Sequence, residues 1–392
     1  MKTNKAIFLF LIVMGMAFFS VRLSSAQEIG CNFNHNPEII DFKYLEKIGV
    51  EWVRTTPRIL DYVYGDKDLN NDEAIDKVVE AGKKGYKLAF GFRWGFKKYG
   101  MDIPKPGSKE EKKLFETERA ILRRVGPYVD VFKLGNEPNL ETKKSDMMPQ
   151  EDGSIPLVRF TKRQFEEVVL PFFEDELKIK TPDVYIGSFP RLFMKDERTI
   201  PGVMELIRMA HSDDRITGLA VHLHISSLDE IDESFEFVRD LMPDKPIIIP
   251  EFSLHRLYQE KSMDSIGSTP VGRSFAKKFG RDPSMKFYEW GEIANTKGVS
   301  RKEWEAFFMS RSWFPPHYLK EYQSRFTKYG VVLATFPLLQ QSCPENMTPN
   351  SPMWFINPLY CQKSLIRMEN GDYASNPLVF EDFIDWLNAT RK

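Results

Sequence analysis

The chain has 392 residues, with 55 basic and 56 acidic side chains and a formal net charge of −1. So even a balance gives no general pull toward nucleic acid or anionic membranes, and three cysteines are too few for a disulfide framework. The length exceeds that of most single domains but suits a barrel of alternating strands and helices that carries insertions.

At the start, Lys2 and Lys5 precede the apolar run "AIFLFLIVMGMAFFSV", and "LSSA" supplies small residues before Gln27. This is the order of a secretory signal peptide, so 1–26 is expected to be cleaved after Ala26. The run is short for a membrane span. The mature domain, 27–392, is therefore expected to be secreted or periplasmic, with no stable membrane anchor. Losing Lys2, Lys5 and Arg22 and no acid takes 55 basic residues to 52 against 56 acidic, a formal charge of −4. Of the cysteines, Cys343–Cys361 or Cys31–Cys343 could form one bridge, and no close Cys/His spacing gives a zinc signature.

Short apolar runs then alternate with amphipathic ones. "EIGCNF" predicts a first strand and "NPEIIDFKYLEKIG" its helix, stopped by Gly49. "VEWVRTT" is the second strand, and "NDEAIDKVVEAGKKG" is a helix with Asn71 or Asp72 as N-cap. "KLAFGFRW" is third, with the helix "KEEKKLFETERAILRRVG". "VFKLGNEPNL" (131–140) holds the fourth, before a helix predicted to begin at Thr161. "VYIGSFP", "GLAVHLH" and "KPIIIPEFS" are strands five to seven, and "GVVLATFPLL" is the eighth. The helices "IPGVMELIRMA", "SLDEIDESFEFVRDLM", "SRKEWEAFFMSRSWF" and "HYLKEYQSRF" fall between them, and "LVFEDFIDWLNAT" closes the chain.

Eight alternations predict a parallel α/β fold. An open doubly wound sheet usually shows a Gly-rich phosphate turn after its first strand, and "CNFNHNPE" has none. A closed (β/α)8 TIM barrel is the expectation, and "PIIIP" and "VVLA" are apolar on both faces as a sheet buried on both sides requires. The segment 255–297, after strand seven, has no clear amphipathic pattern. It is expected to be an irregular insertion that helps wall the catalytic face, or in its middle part a mobile surface excursion.

That face collects residues at the C-terminal ends of strands, and two carboxylates fall there: Glu137 on strand four and Glu251 on strand seven. Such a pair can flank a glycosidic bond, one giving a proton to the leaving oxygen and the other attacking the anomeric carbon. "NEP" and "PEF" are each weak motifs; it is their joint placement that is specific.

At these positions the chain resembles the clan A glycoside hydrolases, (β/α)8 retaining enzymes with catalytic acids on strands four and seven. The resemblance implies a glycosidase in which Glu137, preceded by Asn136, is acid/base and Glu251, in a Glu-Phe pair, is nucleophile. "WVRTTP" resembles the clan's second strand, where Arg54 would support the nucleophile. "AVHLH" resembles its sixth, with His222 matching a histidine and His224 standing where a tyrosine is usual. Asn136 would bond the sugar 2-hydroxyl. His222 and His224, two apart on a strand, point to one side and would bind sugar hydroxyls or the nucleophile. The tryptophan platform usual at strand eight is missing from "VVLATFPLLQQ", which offers Phe336. Trp94 and Trp354 are further aromatic candidates for the site, whereas Trp304 and Trp386 sit at helical positions and are expected to pack in the core.

The function expected is cleavage of O-glycosidic bonds in an oligo- or polysaccharide by double displacement, without cofactor or metal. The alternative is a non-catalytic carbohydrate-binding barrel. A barrel hydrolase or lyase that uses His222 and His224 with a metal is a third reading, disfavoured by only six histidines and no flanking acidic motif.

Overall fold

A computed structural model describes residues 27–65, 67–341, 344 and 346–391. The expected signal peptide 1–26 and Cys343 lie outside these residues, so neither the cleavage nor a bridge to Cys343 is placed by the fold.

Eight parallel strands close into a barrel: β1 (Glu28–Asn32), β2 (Trp52–Thr55), β3 (Lys87–Gly91), β4 (Val129–Leu134), β5 (Asp183–Pro190), β6 (Gly218–His224), β7 (Ile247–Ser253) and β8 (Val331–Pro337). β1 pairs with both β2 and β8, which leaves no sheet edge. Each expected strand is present at its predicted place.

Strand alternation divides the apolar residues into two cores. Inside the lower barrel, Ala89, Val131, Tyr185, Ala220, Ile248 and Leu333 pack together. A larger core fills the layer between the barrel and its helices. Polar caps start several of those helices. Asp72 accepts from Ile75 N–H at 2.9 Å ahead of Glu73–Lys83, and Ser108 accepts from Glu111 N–H at 3.2 Å ahead of Lys109–Val125.

Two expectations are corrected. Thr161 is not an N-cap, because the helix already begins at Pro156 and runs to Arg163. A proline preset for the first turn starts it, and the Thr161 hydroxyl donates to the Leu157 carbonyl at 2.9 Å. The helix continues through two wide π-helical stretches, Gln164–Val169 and Phe172–Glu176.

Nor is 255–297 irregular. It folds as three helices, His255–Glu260, Pro270–Phe279 and Phe287–Lys297. Its aromatic residues are the reason: Trp290 stacks on Phe307 at 3.7 Å, and Phe275 and Phe287 pack against the same ring. Buried Glu303 ties the insertion down, accepting from Trp290 Nε1 at 3.2 Å and from Arg281 at 2.7 and 2.9 Å. Trp304 and Trp386 are buried in the outer core as expected.

Candidate active site

Two irregularities in the barrel aim the carboxylates. Ile248 faces the barrel interior, so strict alternation would turn residue 250 inward and residue 251 out among the helices. Between the pairs Ala220↔Ile248 and His222↔Glu251, however, β7 holds one residue more than β6. The extra residue falls beside Pro250, which has no N–H to give to a ladder and is at home in a bulge. The Pro250 carbonyl accepts from the Thr335 hydroxyl at 2.6 Å. Beyond the bulge Glu251 turns into the mouth, and the Phe252 ring turns outward to Tyr322, Phe326 and Phe336.

The second bulge lies in β5, where Gly187 (φ 93°) and Ser188 (φ 143°) precede Phe189. The Ser188 carbonyl it exposes accepts from Glu137 N–H at 3.2 Å. Glu137 itself is left-handed, φ 42° and ψ 49°, at the start of the short helix Pro138–Glu141. That conformation costs a non-glycine residue about 1–2 kcal/mol, so the surrounding bonds hold it against a local preference.

The two carboxylates meet in one cavity of about 390 Å³, lined also by Asn32, Asn34, His35, His224 and Trp354. Their settings differ. Glu251 Oε1 takes an ion pair from the fully buried Arg54 guanidinium at 2.5 Å. His222 Nε2 stands 3.6 Å from that oxygen and His224 Nε2 3.5 Å from Oε2, to which Asn34 donates at 3.4 Å. Burial alone would raise this carboxyl, but the histidines and Arg54 hold it well below the usual range. Arg54 is itself fixed by bonds to Asn32 Oδ1 at 2.9 Å and Asn136 Oδ1 at 2.7 Å.

Glu137 has fewer partners. His222 Nδ1 lies 3.2 Å from its Oε1, and Arg93 approaches Oε2 only to 3.9 Å. Burial pushes its carboxyl up and the bond to His222 draws it back below its ordinary value. Burial pushes His222 down to about 4, so the ring is neutral at neutral pH and carries one proton. One imidazole thus bridges the two carboxylates, able to donate to only one of them at a time.

Asn136 is buried between the two halves, accepting from Arg54 and donating to Glu141 Oε1 at 3.1 Å. Its side chain orders the residues on either side of it. His224 is oriented by Ser253, whose Oγ lies 2.8 Å from Nδ1. Beneath them Lys133, fully buried, donates to the Thr56 hydroxyl at 3.2 Å, and burial pushes its amine far below the ordinary range.

The aromatic expectations divide. Phe336 lies on the outward side of β8, sealed against Phe252 and Phe383, and does not reach the cavity. Leu333 faces inward, so alternation puts Thr335 and Pro337 inward too and sends Phe336 to the helices. Trp354, from the loop after β8, lines the cavity instead, its ring stacked on His255 at 3.5 Å and edge-on to His224 at 4.8 Å. The wall expected from 255–297 is likewise supplied by the β8 loop, through Leu339, Gln341, Pro352 and Trp354. Trp94 packs on Phe96 and Phe160 and borders a second cavity of about 350 Å³.

Sequence reasoning missed Asn32 at the end of β1, Asn34 and His35 just after it, and Arg58, Arg93 and Glu141. The polar run "NFNHN" at a strand end was the available signal for the first three. Glu137, His222 and His224 each offer a metal-donor atom within 4.8 Å of the others.

No protein-family model matches the chain, and no curated protein matches it. Solved structures do match along nearly its whole length. A broad specificity endoglucanase from Clostridum cellulovorans is 11% identical with a TM-score of 0.50, over 94% of this chain and 96% of that one. A psychrophilic glycoside hydrolase family 10 endo-beta-1,4-xylanase is 11% identical at 0.46, over 94% and 96%. A beta-glucosidase from Thermotoga maritima is 11% identical at 0.47, over 93% and 98%. The likeness is one of fold: the eight-stranded α/β barrel is an architecture these glycoside hydrolases share.

Proposed function

We propose that the protein is a secreted glycosidase that cleaves O-glycosidic bonds with retention of configuration. One observation carries the reading: Glu137 and Glu251 share one cavity at the C-terminal ends of β4 and β7, in unlike electrostatic settings. Acid and nucleophile roles require two carboxyls in unlike settings; here both are held below the ordinary value, Glu251 the further, so Glu137 is the one of the pair that takes up a proton first.

In this mechanism Glu251, kept ionised by Arg54, attacks the anomeric carbon and forms a glycosyl ester. Glu137 gives its proton to the departing oxygen, so the bond breaks to a neutral alcohol. Glu137, now a carboxylate, takes a proton from the incoming water, whose oxygen cleaves the ester and frees the sugar. Glu137 regains that proton as the ester is cleaved, and between turnovers holds it beside His222. Trp354 supplies an aromatic face for the sugar ring, beside His224 and Glu251.

The test is the stereochemistry of the first product. Proton NMR of a freshly cleaved oligosaccharide should show the anomer of the substrate before mutarotation. First appearance of the opposite anomer would replace the covalent step by direct attack of water. A carbohydrate-binding barrel without turnover would bind glycans and give no new anomeric signal, with parent and Glu251→Gln behaving alike.

A further inference from the structure

We propose that the leaving-group side of this site accepts a saccharide bearing an anionic group, a carboxylate or a sulfate ester, and that Arg58 recognises it. The inference rests on the glycosidase reading, which fixes the side of Glu137 on which the leaving group lies.

The two cavities meet at Arg58, Arg93 and Glu137. Glu251 lines only the first, so the sugar that becomes esterified lies there, over Glu251 and beside Trp354. An acid/base stands next to the glycosidic oxygen. The leaving saccharide therefore continues past Glu137 into the second cavity, bordered by Trp94, Tyr99 and Leu140.

The charges around that second cavity do not cancel. Arg93 is engaged, its Nε 2.5 Å from Glu141 Oε1, and Lys98 lies 4.0 Å from Asp61. Arg58 is half-buried, yet its guanidinium makes no hydrogen bond or ion pair with any described residue. The backbone forces it beside a like charge. Ile59 N–H donates to the Arg93 carbonyl at 3.1 Å and Arg93 N–H to the Pro57 carbonyl at 3.0 Å, a parallel bridge that sets Arg58 and Arg93 shoulder to shoulder. Burial, then the Arg93 charge, press the Arg58 guanidinium below its ordinary value, and the more distant Asp61 and Glu141 offset this only in part. Lys97, exposed at the rim, adds a further cation. A planar fork of N–H donors, partly withdrawn from water and crowded by a second cation, matches an oxyanion rather than a neutral hydroxyl. A neutral sugar would leave the Arg58 guanidinium, unlike the Glu141-paired Arg93, without an ion-pair partner.

The chain 27–392 would be incubated with three sets of polymers: neutral (xylan, mannan, mixed-linkage glucan), uronate-bearing (polygalacturonate, alginate, hyaluronan) and sulfated (carrageenan, chondroitin sulfate). Reducing sugar should be released from an anionic polymer, and which set responds tells carboxylate from sulfate. Arg58→Met should lower kcat/KM on it about 30-fold, the scale of a lost charge-assisted bond. Arg58→Lys should recover part of the loss, and circular dichroism should show both variants folded. Release from neutral polymers alone, or an anionic activity unchanged in Arg58→Met, would overturn the proposal. If the parent releases nothing, the glycosidase reading fails separately. Retardation in native gels cast with the same polymers then decides: retardation by an anionic polymer that Arg58→Met loses supports the anion site, and equal or absent retardation overturns it.

Discussion

Glu137 and Glu251 are the same residue type at the rim of the same barrel, and the structure treats them differently. Glu251 lies within its strand, is aimed by a bulge, and faces Arg54, two histidines and Asn34. Glu137 stands on a left-handed turn beyond its strand and shares a single imidazole. Side-chain chemistry is identical, so the difference comes from what the neighbouring strands bring within 4 Å. The lesson is that a carboxylate's role is set by its donors, and the donors by strand register.

That contrast can be broken most sharply by changing the leaving group. Glu251→Gln should lose about 10⁴-fold or more in turnover with every substrate. Glu137→Gln should lose about 10²–10⁴-fold, the scale of general acid catalysis, with natural sugars. It should lose far less with an aryl glycoside whose leaving group needs no proton. Equal losses on both substrates would erase the distinction drawn here.

Next in size is the effect of Arg54 on stability. Arg54→Met leaves Glu251 buried without its cation, and urea denaturation should show a loss of about 3–5 kcal/mol. The double variant Arg54→Met, Glu251→Gln should regain much of it, because no buried charge is then uncompensated. A single variant as stable as the parent would mean that Glu251 does not depend on Arg54.

The smallest effect is a pH dependence. Burial holds His222 at about 4 and His35 and His255 at about 3, all below the ordinary 6.5. The unfolded chain therefore binds more protons than the folded one between those values, and stability falls as pH drops from 6.5 toward 4. His222 alone contributes roughly 3 kcal/mol to that slope. Glu251, held well below the usual carboxylate range, keeps its contribution until lower pH and loses it only there. His222→Asn should make the fall in melting temperature between pH 6.5 and 4 shallower, with His35 and His255 still contributing, and leave the loss below pH 4 in place. If the slope were unchanged from the parent, the bridging imidazole would not be neutral in the folded state.

Much of the molecule was legible in the chain. The alternation of apolar runs predicted eight strands, because period-2 and period-3.6 patterns are local and repeat. Glu137, Glu251, Arg54, Asn136, His222 and His224 could be named from their places at strand ends, and the fold brings all six together. Phe336 was misplaced because its inward or outward sense depends on strand phase, and phase is fixed by packing on Phe252 and Phe383. The helices of 255–297 escaped notice because they are short, and their apolar faces make sense only against Phe307 and Trp304.

By itself, then, the sequence determined the barrel, its order of elements and the two acids that cap strands four and seven, since these follow from local pattern. Tertiary structure alone decided that a bulge beside Pro250 turns Glu251 inward and that one imidazole links both carboxylates. It also put Trp354 at the site rather than Phe336, and left the Arg58 guanidinium without a hydrogen bond or ion pair among the described residues. Each of these depends on residues far apart in the chain meeting within a few ångströms, and on the phase of one strand against the next. Spacing along a single chain does not encode either.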